Sequence, residues 1–193
     1  MSSTNFIIVI LAYFYANTFN SFHNHAIKHV HIKSSTIKQQ ITMESLATST
    51  NNNAFDETID FRGFGFPDWL INRCEELNFN RPTEVQREGF PSIMNGNDVI
   101  LQAQTGSGKT LLFALPVLSK IDATRAAIQA VIVVPTRELG LQVASTLKVL
   151  SKGSPNKISI MSIMEGSNNR RQQLWATAEP PHIVIGNPKS LQR

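Results

Sequence analysis

The 193-residue chain predicts an α/β fold, a parallel sheet with helices on both faces. Three observations carry that expectation. Runs rich in Val and Ile recur at 98–103, 129–135, 157–164 and 182–187, with helical patterns at 108–121, 136–152 and 168–177 between them. Gln129-Ala130-Val131-Ile132-Val133-Val134-Pro135 is nearly continuous in apolar residues, as expected of a strand buried on both faces of a parallel sheet. Ala103-Gln104-Thr105-Gly106-Ser107-Gly108-Lys109-Thr110 follows the apolar run Asp98-Val99-Ile100-Leu101, so a strand enters a glycine turn that ends in Gly-Lys-Thr and opens a helix. Repeated β-α units imply right-handed crossovers and ligands at the carboxyl ends of the strands.

The chain is long enough for one domain with a real core, and 41% hydrophobic content is ordinary for a globular protein. Residues 1–55 read as a disordered leader and a targeting segment. Its first part, Phe6 to Ala16, is an apolar run of eleven, short of the ~20 residues that a membrane-spanning helix needs. No stable membrane span is expected. No lysine or arginine precedes the run, which argues against a secretory signal.

From Asn17 to Asn53 the chain is rich in Ser, Thr, Asn, His and Lys, an unfolded, acid-poor composition suited to an organelle presequence. His23, His25, His29 and His31 lie there without a core to hold ligand geometry. Met43 is an alternative start, in which case the protein would be cytoplasmic. The net charge of +4 is concentrated in this segment, because Lys28, Lys33 and Lys38 precede the first acid, Glu44. The remaining 150 residues hold 15 basic and 14 acidic groups, so the folded part offers no global electrostatic case for nucleic acid. The lone Cys74 excludes an internal disulfide and is expected to be buried.

Residues 56–97 form a helical region. Pro67 opens a short helix through Leu77, and Thr83-Glu84-Val85-Gln86 has the spacing of a capping box that opens a second. Residues 98–193 hold the strands and the phosphate loop. In such a loop, backbone N–H groups and the helix dipole converge on one anionic pocket. Lys109 would reach the β- and γ-phosphates of a nucleoside triphosphate, and the Thr110 hydroxyl would join the shell of a bound Mg2+. Pro116 is expected to kink or fray the helix that follows.

Two further motifs, taken together with the loop, resemble the DEAD-box ATP-dependent RNA helicases, over about Phe61 to Arg193. Asn78-Phe79-Asn80-Arg81-Pro82-Thr83-Glu84-Val85-Gln86 resembles the family's Q motif, with Phe61 at the aromatic position 17 residues upstream. Ala103 to Thr110 is the family's own form of the loop, which accounts for alanine where the general pattern has glycine. Pro135-Thr136-Arg137-Glu138-Leu139-Gly140 is similar to motif Ia. The resemblance implies a partial RecA-like P-loop NTPase domain that takes ATP and Mg2+ and acts on RNA rather than DNA. The strongest likeness, through Gln129 to Val143 and Ala178-Glu179-Pro180-Pro181, is to plant chloroplast members, which implies a plastid location.

The resemblance gives the nucleotide Phe61, Arg81, Gln86 and the loop residues Ala103, Gln104, Thr105, Gly106, Ser107, Gly108, Lys109 and Thr110. A glutamine amide matches the N6 and N7 edge of adenine, so Gln86 would select ATP; its other reading is a helix cap bonded back to Thr83. Phe61 would stack on the base, or else belong to the core. For RNA the implied contacts are Pro135, Thr136, Arg137, Gly166 and Lys189. Arg137 is read as a phosphate clamp or as a surface ion pair with Glu138.

Where the family has a Gly-Gly pair and then Thr-Pro-Gly-Arg, this chain has Glu165-Gly166 and Asn187-Pro188-Lys189-Ser190. No Asp-Glu-Ala-Asp run occurs in it, so no catalytic carboxylate is assigned and the expected domain is truncated before the strand that bears that motif. Three readings follow: a portion of a helicase, a nucleotide- or RNA-binding module without turnover, or a different P-loop ATPase.

Overall fold

The computed structural model describes residues 7–10, 39–42, 60–164 and 179–192. All its strands pair in parallel. β1 (Ile7–Ile10), β4 (Ala130–Val133), β5 (Ile160–Ile163) and β6 (Ile183–Gly186) form one sheet in the order β1-β4-β6-β5. β2 (Gln39–Thr42) and β3 (Val99–Gln102) form a separate two-stranded ladder, with Gln39 opposite Val99 and Thr42 opposite Gln102. The four strands forecast from Val and Ile content are therefore present, shortened at both ends. One sheet was expected and two are found, and β1 and β2 fall inside the stretch whose composition reads as an unfolded leader. Parallel pairing joins residues far apart in the chain, so no local pattern announces it.

The helices are α1 (Asp68–Glu76), α2 (Glu84–Met94), α3 (Lys109–Lys120), α4 (Arg137–Leu150) and a final turn, α5 (Pro188–Leu191). Pro67 caps α1 in an extended conformation, and Thr83 caps α2 with both bonds of the capping box in place. Helix α3 is assigned without a break through Pro116, so the expected fraying is absent. Leu112 to Leu118 are all buried. Five large apolar side chains, at roughly 1.5–3 kcal/mol each, outweigh the ~3 kcal/mol that an interior proline costs. The helix forecast at 168–177 lies outside the described residues.

The core gathers Leu70, Ile71 and Cys74 of α1, Val85 and Phe90 of α2, the buried run of α3, and Ala130, Ile132, Val134, Ile183 and Ile185 from the main sheet. Phe61, Phe64 and Phe66 close on Phe90, with ring centroids 6.2, 5.0 and 5.0 Å away. Burial, with some repulsion from Glu75, pushes the Cys74 thiol up to about 11. Among the described residues no helix is long and apolar enough to cross a membrane.

The main sheet is tied together where its strands begin. His182 accepts at Nδ1 from the Ser159 N–H at 2.9 Å, and its carbonyl accepts from the N–H groups of Gln129 and Ala130. The carboxyl ends of β4, β5 and β6 then share the opposite edge. Val134 N–H donates to the Gly186 carbonyl there, and Gly140 leaves room for the Met164 side chain.

Candidate nucleotide-binding site

The loop from Ala103 to Gly108 connects β3 to the N-terminus of α3, the path its sequence predicts. Gly106 and Gly108 have φ of +84° and +92°, left-handed values that favour glycine. Gly108 has a second constraint, because a Cβ there would run into the Gln86 amide. Lys109 opens the helix and turns its ammonium back on the loop. It donates to the Ala103 carbonyl at 2.6 Å and to the Gln104 carbonyl. Its partial burial holds its pKa below the ordinary lysine value. Thr110 follows, half-buried in the first turn.

Gln86 lies on α2 but reaches the same loop. Its Oε1 accepts from the Thr83 N–H at 3.0 Å, while its Nε2 donates to the Gly108 carbonyl at 3.0 Å. Both amide atoms are thus engaged, and the residue is only 1% exposed. The cap is a fact of this structure. It leaves one lone pair and one N–H of the amide uncommitted, the two groups an adenine edge would need. Reading a base therefore requires its neighbours to move aside, while the cap itself can stay.

Thr83 was legible as a cap and not as a loop contact. Its Oγ1 accepts from the Gln86 N–H, and its own O–H donates to the Ser107 carbonyl at 2.8 Å. A capping hydroxyl always keeps its proton to give, and that is the signal that could have revealed the second bond. Four loop carbonyls, at 103, 104, 107 and 108, are therefore held by donors from Lys109, Thr83 and Gln86. The Ser107 hydroxyl is buried without a hydrogen-bond partner. An orphaned hydroxyl beside two left-handed glycines and an ammonium suits a phosphate group.

Phe61 is 2% exposed and packs edge-on against Phe90, one turn beyond Gln86 on α2. In this arrangement its ring belongs to the aromatic core. Arg81 is exposed just before the cap. Of the residues expected at RNA, Pro135, Thr136, Arg137 and Lys189 are exposed along the carboxyl edge of the main sheet, and Gly166 lies outside the described residues. The Thr136 hydroxyl caps α4 by accepting from the Leu139 N–H, with Arg137 as the first helical residue. Asn187 caps α5 through Oδ1, which accepts from the Ser190 N–H at 2.7 Å.

A model of the DEAD/DEAH box helicase family matches residues 83–193. DEAD-box ATP-dependent RNA helicase 58, chloroplastic, of Arabidopsis thaliana is 36% identical over 195 residues, covering 92% of this chain and 41% of that protein. The Oryza sativa subsp. japonica protein of the same name is 44% identical over 125 residues, covering 65% of this chain and 28% of its own length. The chain thus spans well under half of these relatives. Among solved structures, a DEAD box protein from the hyperthermophile Methanococcus jannaschii superposes with a TM-score of 0.62 at 30% identity, over 68% of this chain and 35% of that one. S. cerevisiae Dbp5 bound to RNA and ADP BeF3 gives 0.60 at 26% identity, over 68% of this chain and 32% of that one. Sequence and fold agree, and the chain belongs to the DEAD/DEAH box helicase family.

Proposed function

We propose that this chain is the ATP-binding part of an ATP-dependent RNA helicase that works in the plastid. The observation that carries the reading is the loop at the start of α3, whose ammonium, left-handed glycines and unpartnered Ser107 hydroxyl converge where a polyphosphate would lie. Binding requires Lys109 to exchange the carbonyls of Ala103 and Gln104 for phosphate oxygens, a move its flexible stem permits. Thr110 would hold Mg2+, which supplies charge neutralisation between the phosphates when bound. The Gln86 amide would read adenine with the two hydrogen-bonding groups its cap leaves over.

RNA is assigned to the edge that carries Thr136, Arg137 and Lys189, where exposed basic side chains stand at the Thr136-capped N-terminus of α4. The plastid assignment is supported by the chloroplastic relatives. Hydrolysis and duplex unwinding are proposed for the whole helicase.

The test is a titration with a fluorescent ATP analogue in the presence of Mg2+. Lys109→Ala should weaken binding at least about a hundredfold, because it removes the one full positive charge at the loop. Unchanged affinity would reject the phosphate-loop reading. For RNA, Arg137→Ala should weaken binding of a single-stranded oligonucleotide and reduce its salt dependence. An unaltered salt slope would remove Arg137 from the RNA contact.

A further inference from the structure

Gly140 ends the first turn of α4 and does not have a positive φ, so its backbone makes no demand for glycine, the poorest helix former after proline. Space makes the demand instead. A Cβ there would collide with the Met164 Cε, and would lie 3.0 Å from the Met164 Sδ and 3.1 Å from the Val134 Cγ2. Met164 is 3% exposed and Val134 1%, so neither side chain has solvent to retreat into. Val134 follows β4 and Met164 follows β5, and both strand ends therefore close on one turn of α4. That turn carries Arg137, and the Gly140 N–H completes it by donating to the Thr136 carbonyl at 3.1 Å. The turn with Lys189 is seated in the same way, because a Cβ at Gly186, the last residue of β6, would lie 2.8 Å from the Leu191 Cγ.

We propose that Gly140 and Met164 are a positioning pair for RNA. The Met164 thioether, seated in the space that glycine leaves, fixes the first turn of α4 and with it the Arg137 guanidinium at the carboxyl edge of the sheet. This rests on the assignment of RNA to that edge. Gly140 and Met164 are buried while Arg137 is exposed, so the pair acts through Arg137 and not on RNA itself. A cation held in place before RNA arrives loses less freedom on binding, which raises affinity.

A double-mutant cycle on the full chain tests the pair, read by the binding of single-stranded oligouridine over a range of salt. Gly140→Ala should weaken binding at least about fivefold and lower the salt slope by about 0.7, the share of one phosphate on a single strand. In that background Arg137→Ala should add no further loss, a result that destabilisation alone would not produce. Valine ends at Cγ and lacks the Sδ and Cε that the new methyl would meet. Gly140→Ala/Met164→Val should therefore bind within about twofold of the unaltered chain, as a volume-conserving exchange. Unchanged affinity and slope for Gly140→Ala would overturn the proposal, and so would a loss that Met164→Val does not repair. Should Gly140→Ala fail to fold, Met164→Val alone leaves the space at Gly140 unfilled and should weaken binding at least about threefold, and undiminished binding would reject the pair. Arg137→Ala in the unaltered chain separates the two readings. If it lowers the slope and Gly140→Ala does not, the positioning pair alone fails; if it does not lower the slope, the RNA assignment fails and the pair with it.

Discussion

Replacing Gln86 with alanine tests the link between the capping box and the phosphate loop. The amide makes two hydrogen bonds at 3.0 Å, one to each of two different elements. At ~0.5–1.5 kcal/mol net per bond, their loss removes about 1–3 kcal/mol. The Gly108 carbonyl and the Thr83 N–H lose their partners at a residue 1% exposed, which adds to the cost. A destabilisation of about 2–3 kcal/mol is expected, more than the ~1 kcal/mol of an ordinary lost cap. Urea unfolding measures it as a shift in midpoint at constant slope. Gln86→Glu should do no better, since a carboxylate oxygen would then face the Gly108 carbonyl. A loss below about 0.5 kcal/mol for Gln86→Ala would refute the bridge. With the same variant, the preference for ATP over GTP should disappear, and a preserved preference would remove Gln86 from base reading.

His182→Ala should cost about 1–3 kcal/mol, because the Ser159 N–H loses its acceptor. His182→Asn, whose Oδ1 falls near the place of Nδ1, should recover most of that, and equal losses for both would show that ring packing matters more than the bond. Gly108→Ala should destabilise by about 1–3 kcal/mol and weaken nucleotide binding, since alanine at φ +92° is strained and its Cβ meets Gln86; a neutral effect in thermal unfolding would show that the loop re-forms freely. Cys74, with its pKa near 11, holds about one thiolate per thousand molecules at pH 8, so labelling by a disulfide reagent should follow unfolding, and rapid labelling of the native chain would contradict its burial. Its raised value also means that the unfolded chain releases the proton first. Stability should therefore fall as pH rises from about 9 towards 11 and be insensitive to this group below that window.

Much of the fold was readable because its signals are local. Val and Ile runs marked β3 to β6, and Thr83 and Gln86 marked the start of α2 by spacing alone. The glycine loop declared its own conformation, as both Gly106 and Gly108 have positive φ. The sequence could not disclose what depends on distant partners. Nothing local says that Ile7–Ile10 pairs with Ala130–Val133, or that β3 sits outside the main sheet. Pro116 did not fray its helix because its cost is local and the burial that offsets it is not. Phe61 was ambiguous for a related reason: an aromatic ring suits a core or a base equally, and only Phe90 beside it decides where it rests here.

With the Lys109 ammonium resting on its own loop, nucleotide capture at the proposed site would be an exchange rather than a simple arrival. Any ligand must replace the carbonyls of Ala103 and Gln104, contacts worth about 2–3 kcal/mol together when partly open to water. That sets an entry threshold of up to about two decades in affinity, which only a polyanion can meet. Adenosine brings the right base and no phosphate, so it should leave the ammonium where it is. In the proposed site the loop would screen for charge before the helix behind it could test for the base, and a titration with adenosine, ADP and ATP should show affinity rising with phosphate number.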